Sequence, residues 1–406
     1  MRPRWPRVLA ALIASGFLRC GQGSNGPSPS PTPSGGVPGP FTGLSTELSA
    51  TLDQFGRFLD TVPARRSGVI FGGEIAPANS HRGQGLLTDG AYEGCLLYID
   101  RLRALGVGGA SVLMAYPILN DGYPRSSEYW SFYQRLAGDI KARGLRLHVK
   151  VGPIFNNRNF SSVPVDYSNV TVDDYLRDRK RIAQRIAREI RPDYLSIGNE
   201  PTSEAQIFHF EITPDRYLQY VNQTLAGMNR SVTLVGAGSG TWDATDYVAR
   251  FARETSLDYI DLHIYPLASI SGDYLRRAAD MADLASASSK RVIIGEAWLY
   301  KASRAELTAT PTAPAIFARD VFSFWSVLDT KFLQDVARLA SVKQIEYVSP
   351  FWTKYFFAYV PYSDQTAAAP AAQLASMADQ EMIKQLTAGG YSPTGEAYRD
   401  IISQYR

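Results

Sequence analysis

Two glutamates stand at the ends of apolar runs in this 406-residue chain. They are Glu200 in Leu195-Ser196-Ile197-Gly198-Asn199-Glu200-Pro201 and Glu296 in Val292-Ile293-Ile294-Gly295-Glu296-Ala297-Trp298. A short hydrophobic run ending in a small residue and then a carboxylate suits a buried parallel strand that delivers a charged group at a barrel mouth. Two such acids, brought together by closure of a barrel, could cleave a glycosidic bond: one attacks the anomeric carbon and the other protonates the leaving oxygen.

A third segment lies between them in the chain, Asp258-Tyr259-Ile260-Asp261-Leu262-His263-Ile264-Tyr265-Pro266. Strand alternation places Asp261, His263 and Tyr265 on one face and Leu262 and Ile264 on the other. His263 alone reads as a buried histidine bonded to backbone. Beside Tyr265 and Glu296 it reads as part of a site.

These three segments, in this order, resemble the clan A retaining glycoside hydrolases. The resemblance implies Glu200 as acid/base and Glu296 as nucleophile, with Glu200 protonated near neutral pH and Glu296 ionised; repulsion between the two charges favours that split. It implies that Tyr265 donates to the nucleophile, that His263 lines the leaving-group side, and that Asn199 reaches the sugar 2-hydroxyl. Trp352, ending Ser349-Pro350-Phe351-Trp352, fits the tryptophan floor under the sugar. An aromatic face packs against the C–H side of a pyranose, and Trp298 and Trp242 stand as further subsite candidates or as loop packing. The clan's second-strand arginine has no counterpart in Gly109-Ala110-Ser111-Val112-Leu113-Met114-Ala115-Tyr116, and His148 and Lys150 on one face of the third strand are the candidates for the missing charge. The run from Pro192 looks like endo-galactanases, while His263-Ile264-Tyr265-Pro266 also looks like cellulases and mannanases.

The elements that must position these residues alternate along the chain. Strands are expected near residues 68–73, 109–115, 145–152, 194–199, 232–237, 259–265, 291–296 and 345–352. Amphipathic helical segments fall between them at 92–105, 127–143 and 172–190, with Ile182, Ile186 and Ile190 on one face. Thr213-Pro214-Asp215 is a helix start, with Thr as N-cap and Pro in the first turn. A last helix opens after Ser392-Pro393 and is expected to close the barrel base, and the connection between the seventh and eighth strands carries an extra helix within residues 320–339. Its Phe322, Phe324 and Trp325 read as packing rather than substrate contacts. Gly236-Ala237-Gly238-Ser239-Gly240 reads as the loop after the fifth strand, not as a dinucleotide fingerprint, because the third glycine of that motif is missing. Eight strands with helices between them predict a (β/α)8 TIM barrel, which needs about 250 residues and more with long loops.

A hydrophobic share of 45% and a charged share of 20% are ordinary for a globular chain. The net charge of +3, with no basic run, leaves no electrostatic footprint for nucleic acid. Residues 1–7 carry three arginines and residues 8–18 are almost wholly apolar, too short for a membrane span but suited to an export signal over residues 1–20. Cys20 resembles the lipidated cysteine of a bacterial lipoprotein, although Phe17 and Arg19 depart from that pattern, so either a lipid tether or plain secretion is open. Residues 21–43 form a Gly/Ser/Pro-rich tether ahead of a single domain at 44–406. Cys95 reads as a small core hydrophobe.

The expected partner is a carbohydrate, with the chain a monomer that needs no cofactor. A metal-dependent hydrolase would use clustered histidines, and the four histidines show no His-x-His or His-Glu-x-x-His spacing. The alternative from another class is a tethered glycan-binding protein on an inactive barrel, which the second-strand departure keeps open.

Overall fold

The computed structural model describes residues 36–63, 68–156, 161–265, 267–269, 272–309 and 314–406. Cys20, the leader and most of the expected tether lie outside them. Among the described residues no helix is long and apolar enough to cross a membrane.

Eight parallel strands form the barrel: β1 (Ile70–Phe71), β2 (Gly109–Leu113), β3 (Arg146–Lys150), β4 (Tyr194–Ser196), β5 (Leu234–Gly240), β6 (Tyr259–Ile264), β7 (Arg291–Ala297) and β8 (Tyr347–Pro350). From β2 to β8 each strand pairs with the next in sequence, and β8 pairs with β1. Backbone bonds from Gly108 N to Phe71 O at 2.7 Å and from Ser111 N to Gly73 O at 3.0 Å close β2 onto β1. This is the predicted (β/α)8 barrel, with every expected strand present.

Two of the helices combine a side-chain cap with an apolar face as the sequence predicts. Thr171 caps Val172–Glu189 by accepting from Asp174 N at 3.2 Å. Asp173 and Asp174 sit in that helix's first turn, where the helix dipole favours negative charge, and Ile182 and Ile186 are buried. Thr213 caps Pro214–Ala226 in the same way. Cys95 is buried in Ala91–Ala104. Among its described residues the β7–β8 connection carries three α-helices, Arg304–Ala309, Pro314–Arg319 and Ser326–Lys343. Phe322, Phe324 and Trp325 are buried there against Phe41 and Tyr362. The helix Thr42–Asp60 begins inside the end of the expected tether and packs on Ser326–Lys343. The last helix, Pro393–Tyr405, packs beside Ser326–Lys343 on the barrel's flank, with Tyr398 donating to Gly72 O at 2.8 Å.

The run 236–240 is not a loop but the body of β5. A Cβ on Gly238 would fall 1.5 Å from the Asp261 carbonyl oxygen, so glycine is what lets β5 lie this close to β6. The barrel interior holds one layer of Tyr194, Tyr259, Ile293 and Tyr347. Above it comes a polar layer: His148 bonds Ser111 Oγ at 3.0 Å and Ser196 Oγ at 2.9 Å, and Ser196 Oγ donates to Asp261 Oδ2 at 2.5 Å. The apolar core otherwise lies between the barrel and its helices.

Candidate active site

The register of β6 against β7 sets the site. Leu262 pairs with Ile294, but the next pair is His263 with Glu296, so Gly295 is bulged out of the ladder. Without that extra residue Glu296 would alternate to the helix side. The bulge restores it to the face that carries Ile293, Asp261 and His263. Gly295 N donates to Asp261 Oδ1 at 2.8 Å, and a Cβ there would lie 2.3 Å from that oxygen.

Glu296 is buried, and both of its oxygens are occupied. Lys150 Nζ forms an ion pair with Oε1, and the Tyr265 hydroxyl donates to Oε2 at 2.5 Å. Burial alone would raise this carboxyl, but the Lys150 ammonium, the His263 ring and the Tyr265 hydroxyl more than offset it and hold Glu296 below the usual carboxylate range. Lys150 is fully buried beside the Phe351 ring, 4.9 Å from its centroid.

Glu200 is the more open acid. His263 Nδ1 lies 2.6 Å from Glu200 Oε1 and 3.5 Å from Glu296 Oε2, and His263 Nε2 lies 3.7 Å from Asp261 Oδ2. One oxygen of each glutamate and one ring nitrogen of His263 all fall within 4.8 Å of one another. Burial pulls the imidazole down, but the Glu296 charge and the carboxylates of Asp261 and Glu200 outweigh it and push His263 up to about 10. The helix Pro201–Phe208 starts at Glu200 and is held at two points. Asp243 Oδ1 accepts from Thr202 N at 3.1 Å, and Glu204 pairs with buried Arg179 at 2.6 Å.

The structure brings together Glu200, Glu296, His263, Tyr265 and Lys150. Asn199 is buried next to Glu200, and its Oδ1 has no hydrogen-bond partner among the described residues. Trp352 and Trp242 are half-buried, Trp352 edge-on to Phe351 and Trp242 with its ring 6.0 Å from Tyr265. Two expectations need correction. Trp298 is 1% exposed and stacks on Tyr355, so its face belongs to the core rather than to a subsite. His148 sits in the barrel interior between two serines, and burial pushes it down to about 3, so it is neutral, and of the two third-strand candidates it is Lys150 that pairs with Glu296.

Sequence reasoning missed Glu74 and Asp243. Glu74 follows β1, is 2% exposed, and accepts from Asn79 Nδ2 at 2.6 Å. Burial, against the opposing pull of Lys150, pushes it up to about 8. Its signal was present: Ile70-Phe71-Gly72-Gly73-Glu74 repeats the apolar, glycine, acid pattern of the other two strand ends. Asp243 sits after β5, and burial together with the nearby Glu200 charge pushes it up to about 7, against the opposing hydrogen bond from Thr202.

No family model matches the chain, and no curated protein does. Among solved structures, the exo-beta-1,4-mannosidase Op5Man5 from Opitutaceae bacterium strain TAV5 aligns at 12% identity over 85% of this chain and 61% of that one, with a TM-score of 0.48. Fpglu1 from Fervidobacterium pennivoraus aligns at 12% identity over 83% and 96%, with a TM-score of 0.49. The glycoside hydrolase family 30 subfamily 8 xylanase Xyn30A from Clostridium acetobutylicum aligns at 14% identity over 71% and 65%, with a TM-score of 0.44. The chain thus spans less than two thirds of the length of the mannosidase and of the xylanase.

Proposed function

We propose that this protein is a retaining β-glycoside hydrolase of the clan A type, acting on a poly- or oligosaccharide. The observation that carries the reading is the pair of strand-end glutamates with oxygens within 4.8 Å of one another, one of them fixed as a carboxylate by Lys150 and Tyr265. Retaining enzymes place their two carboxyl groups about 5 to 5.5 Å apart, too close for a water molecule to enter between them and the sugar.

In the first half-reaction Glu296 attacks the anomeric carbon, the glycosidic C–O bond breaks, and a proton delivered through Glu200 leaves with the aglycone oxygen. In the second, Glu200 takes a proton from water, and that water displaces Glu296 from the sugar. In this reading Asn199 bonds the sugar 2-hydroxyl, and Trp352 and Trp242 offer ring faces to neutral pyranoses. The binding-only reading drew on the absence of an arginine from β2, and Lys150 on β3 supplies a charge to the nucleophile instead. The basic and apolar start of the sequence supports export, with Cys20 as a lipid tether or removed with the leader.

The test is a panel of plant β-glycans incubated with the full chain. Release of reducing ends, with NMR showing the β-anomer formed first, is the expected result. Retention of polysaccharide with no new reducing ends would mark a binder, and an initial α-anomer would mark an inverting enzyme.

A further inference from the structure

His263 is enclosed by three carboxylates, with Glu200 beyond the end of β4, Glu296 on β7 and Asp261 two residues earlier on β6, at 2.6, 3.5 and 3.7 Å from its ring nitrogens. Two protonation states fit the short line between Nδ1 and Glu200. In one, Glu200 carries the proton and donates to a neutral ring. In the other, the ring is an imidazolium and Glu200 an anion. They differ only in where a single proton rests.

Resting on the glycosidase reading above, we propose that the proton used for leaving-group departure is stored on His263, and that Glu200 passes it on as an anion rather than holding it.

The geometry favours this arrangement in three ways. On His263 the proton is close to two further anions, Asp261 and Glu296, both held below the usual carboxylate range. Burial works against both of these carboxylates, but at Asp261 the His263 ring outweighs it and at Glu296 the Lys150 ammonium does. Of the three acids Glu200 is the most open, with 14% of its side chain exposed against 9% and 0%, so water solvates its negative charge best. The Nε2 atom lies 3.7 Å from Asp261 Oδ2 and has no hydrogen-bond partner among the described residues, and a lone pair aimed at a carboxylate would be repelled where an N–H is attracted. The other titratable groups of the mouth do not reverse this balance. Lys150 is committed to Glu296, Tyr265 donates to the same carboxylate, His148 is neutral, and Glu74 and Asp243 are buried acids pushed up to about 8 and 7.

The cycle then balances. As the bond from Glu296 to the anomeric carbon forms, the negative charge of Glu296 is consumed and the hold on the imidazolium weakens. The Nδ1 proton crosses to the Glu200 anion and passes on from it to the departing oxygen, leaving His263 neutral and Glu200 anionic. When water attacks the glycosyl-enzyme, its proton returns through Glu200 to His263 as the Glu296 carboxylate is released. No net proton is gained or lost over the two steps.

The experiment is 15N NMR of the full chain labelled at histidine, with the His263 ring assigned by its disappearance in His263→Gln. In the free enzyme at pH 7 both ring nitrogens should be protonated. After trapping with a 2-deoxy-2-fluoro-β-glycoside of a sugar the enzyme turns over, one nitrogen should lose its proton. A singly protonated ring in a free enzyme that hydrolyses glycans would overturn the storage role and leave the glycosidase reading standing. An enzyme that turns over no glycan in the panel would instead sink the glycosidase reading, whatever the ring's charge. In kinetics, His263→Gln should lower kcat/KM about 100-fold or more for a poor phenol leaving group but less than tenfold for 2,4-dinitrophenol. An equal loss on both substrates would make His263 a structural support and overturn the proposal.

Discussion

The backbone amide of Gly295 donates to Asp261 Oδ1 at 2.8 Å, at the one-residue slip that turns Glu296 from the helix side of β7 into the barrel mouth. A methyl group on Gly295 would lie 2.3 Å from that oxygen. Gly295→Ala should therefore destabilise the fold by about 1 to 3 kcal/mol through overpacking. Because a displacement of about 1 Å in a reacting group costs on the order of 100-fold, activity should fall at least that far at temperatures where the variant stays folded. Thermal unfolding and kcat/KM measured side by side check both expectations. A variant with wild-type Tm and full activity would contradict the positioning role of the bulge.

Glu296→Ala should abolish hydrolysis, and azide should restore turnover of an activated aryl glycoside by forming the glycosyl azide of inverted configuration. Glu200→Ala should spare formation of the glycosyl-enzyme only for substrates whose leaving group needs no proton. Equal damage to activated and unactivated substrates in Glu200→Ala would remove its acid role.

Tyr265→Phe removes a donor from an ionised carboxylate, a bond worth roughly 1.5 to 3 kcal/mol. Glu296 is held below its ordinary range partly by that bond, so losing it raises the pKa and moves the acidic limb of the kcat/KM profile to higher pH. Glycosylation should slow by about one to two orders of magnitude with the fold intact. An unmoved pH profile would reduce Tyr265 to packing.

Lys150→Met leaves Glu296 buried without its counter-ion, and breaking such a pair costs about 3 to 5 kcal/mol. A carboxylate with a depressed folded pKa contributes stability above its unfolded pKa and loses it as pH falls through the folded value. The Tm gap between wild type and Lys150→Met should therefore be widest near neutral pH and narrow as pH falls into the acid range. A gap independent of pH would mean that Lys150 acts by packing rather than by charge.

Glu74→Gln tests the third acid. Its pKa is pushed up to about 8, so ionising it in the fold is unfavourable, and wild-type stability should decline as pH rises from the ordinary carboxyl value of 4.5 to about 8. The glutamine variant lacks that decline. Its Tm advantage should grow across that window and level off above it, and equal Tm differences at pH 5 and pH 8 would contradict the shift.

What the sequence determined by itself follows from local rules. Strand and helix periods placed all eight strands, because alternation and apolar runs are set by near neighbours in the chain. Thr171 and Thr213 cap their helices with side chains that reach only three residues ahead. The strand-end acids and Tyr265 could be read for the same reason, and so could the candidacy of Lys150. Distant neighbours decided the rest. Alternation alone turns Glu296 away from the mouth, and only pairing with β6 creates the bulge that turns it back. Lys150 outranks His148 as the counter-ion because the barrel brings β3 across to β7, while burial between two serines leaves His148 neutral. Trp298 stands two residues after the nucleophile, but packing against Tyr355 buries it, and burial is a property of the whole fold that no spacing in the chain encodes. Glu74 carried the same local signature as the other acids, and its neutral character arises only from the enclosing barrel.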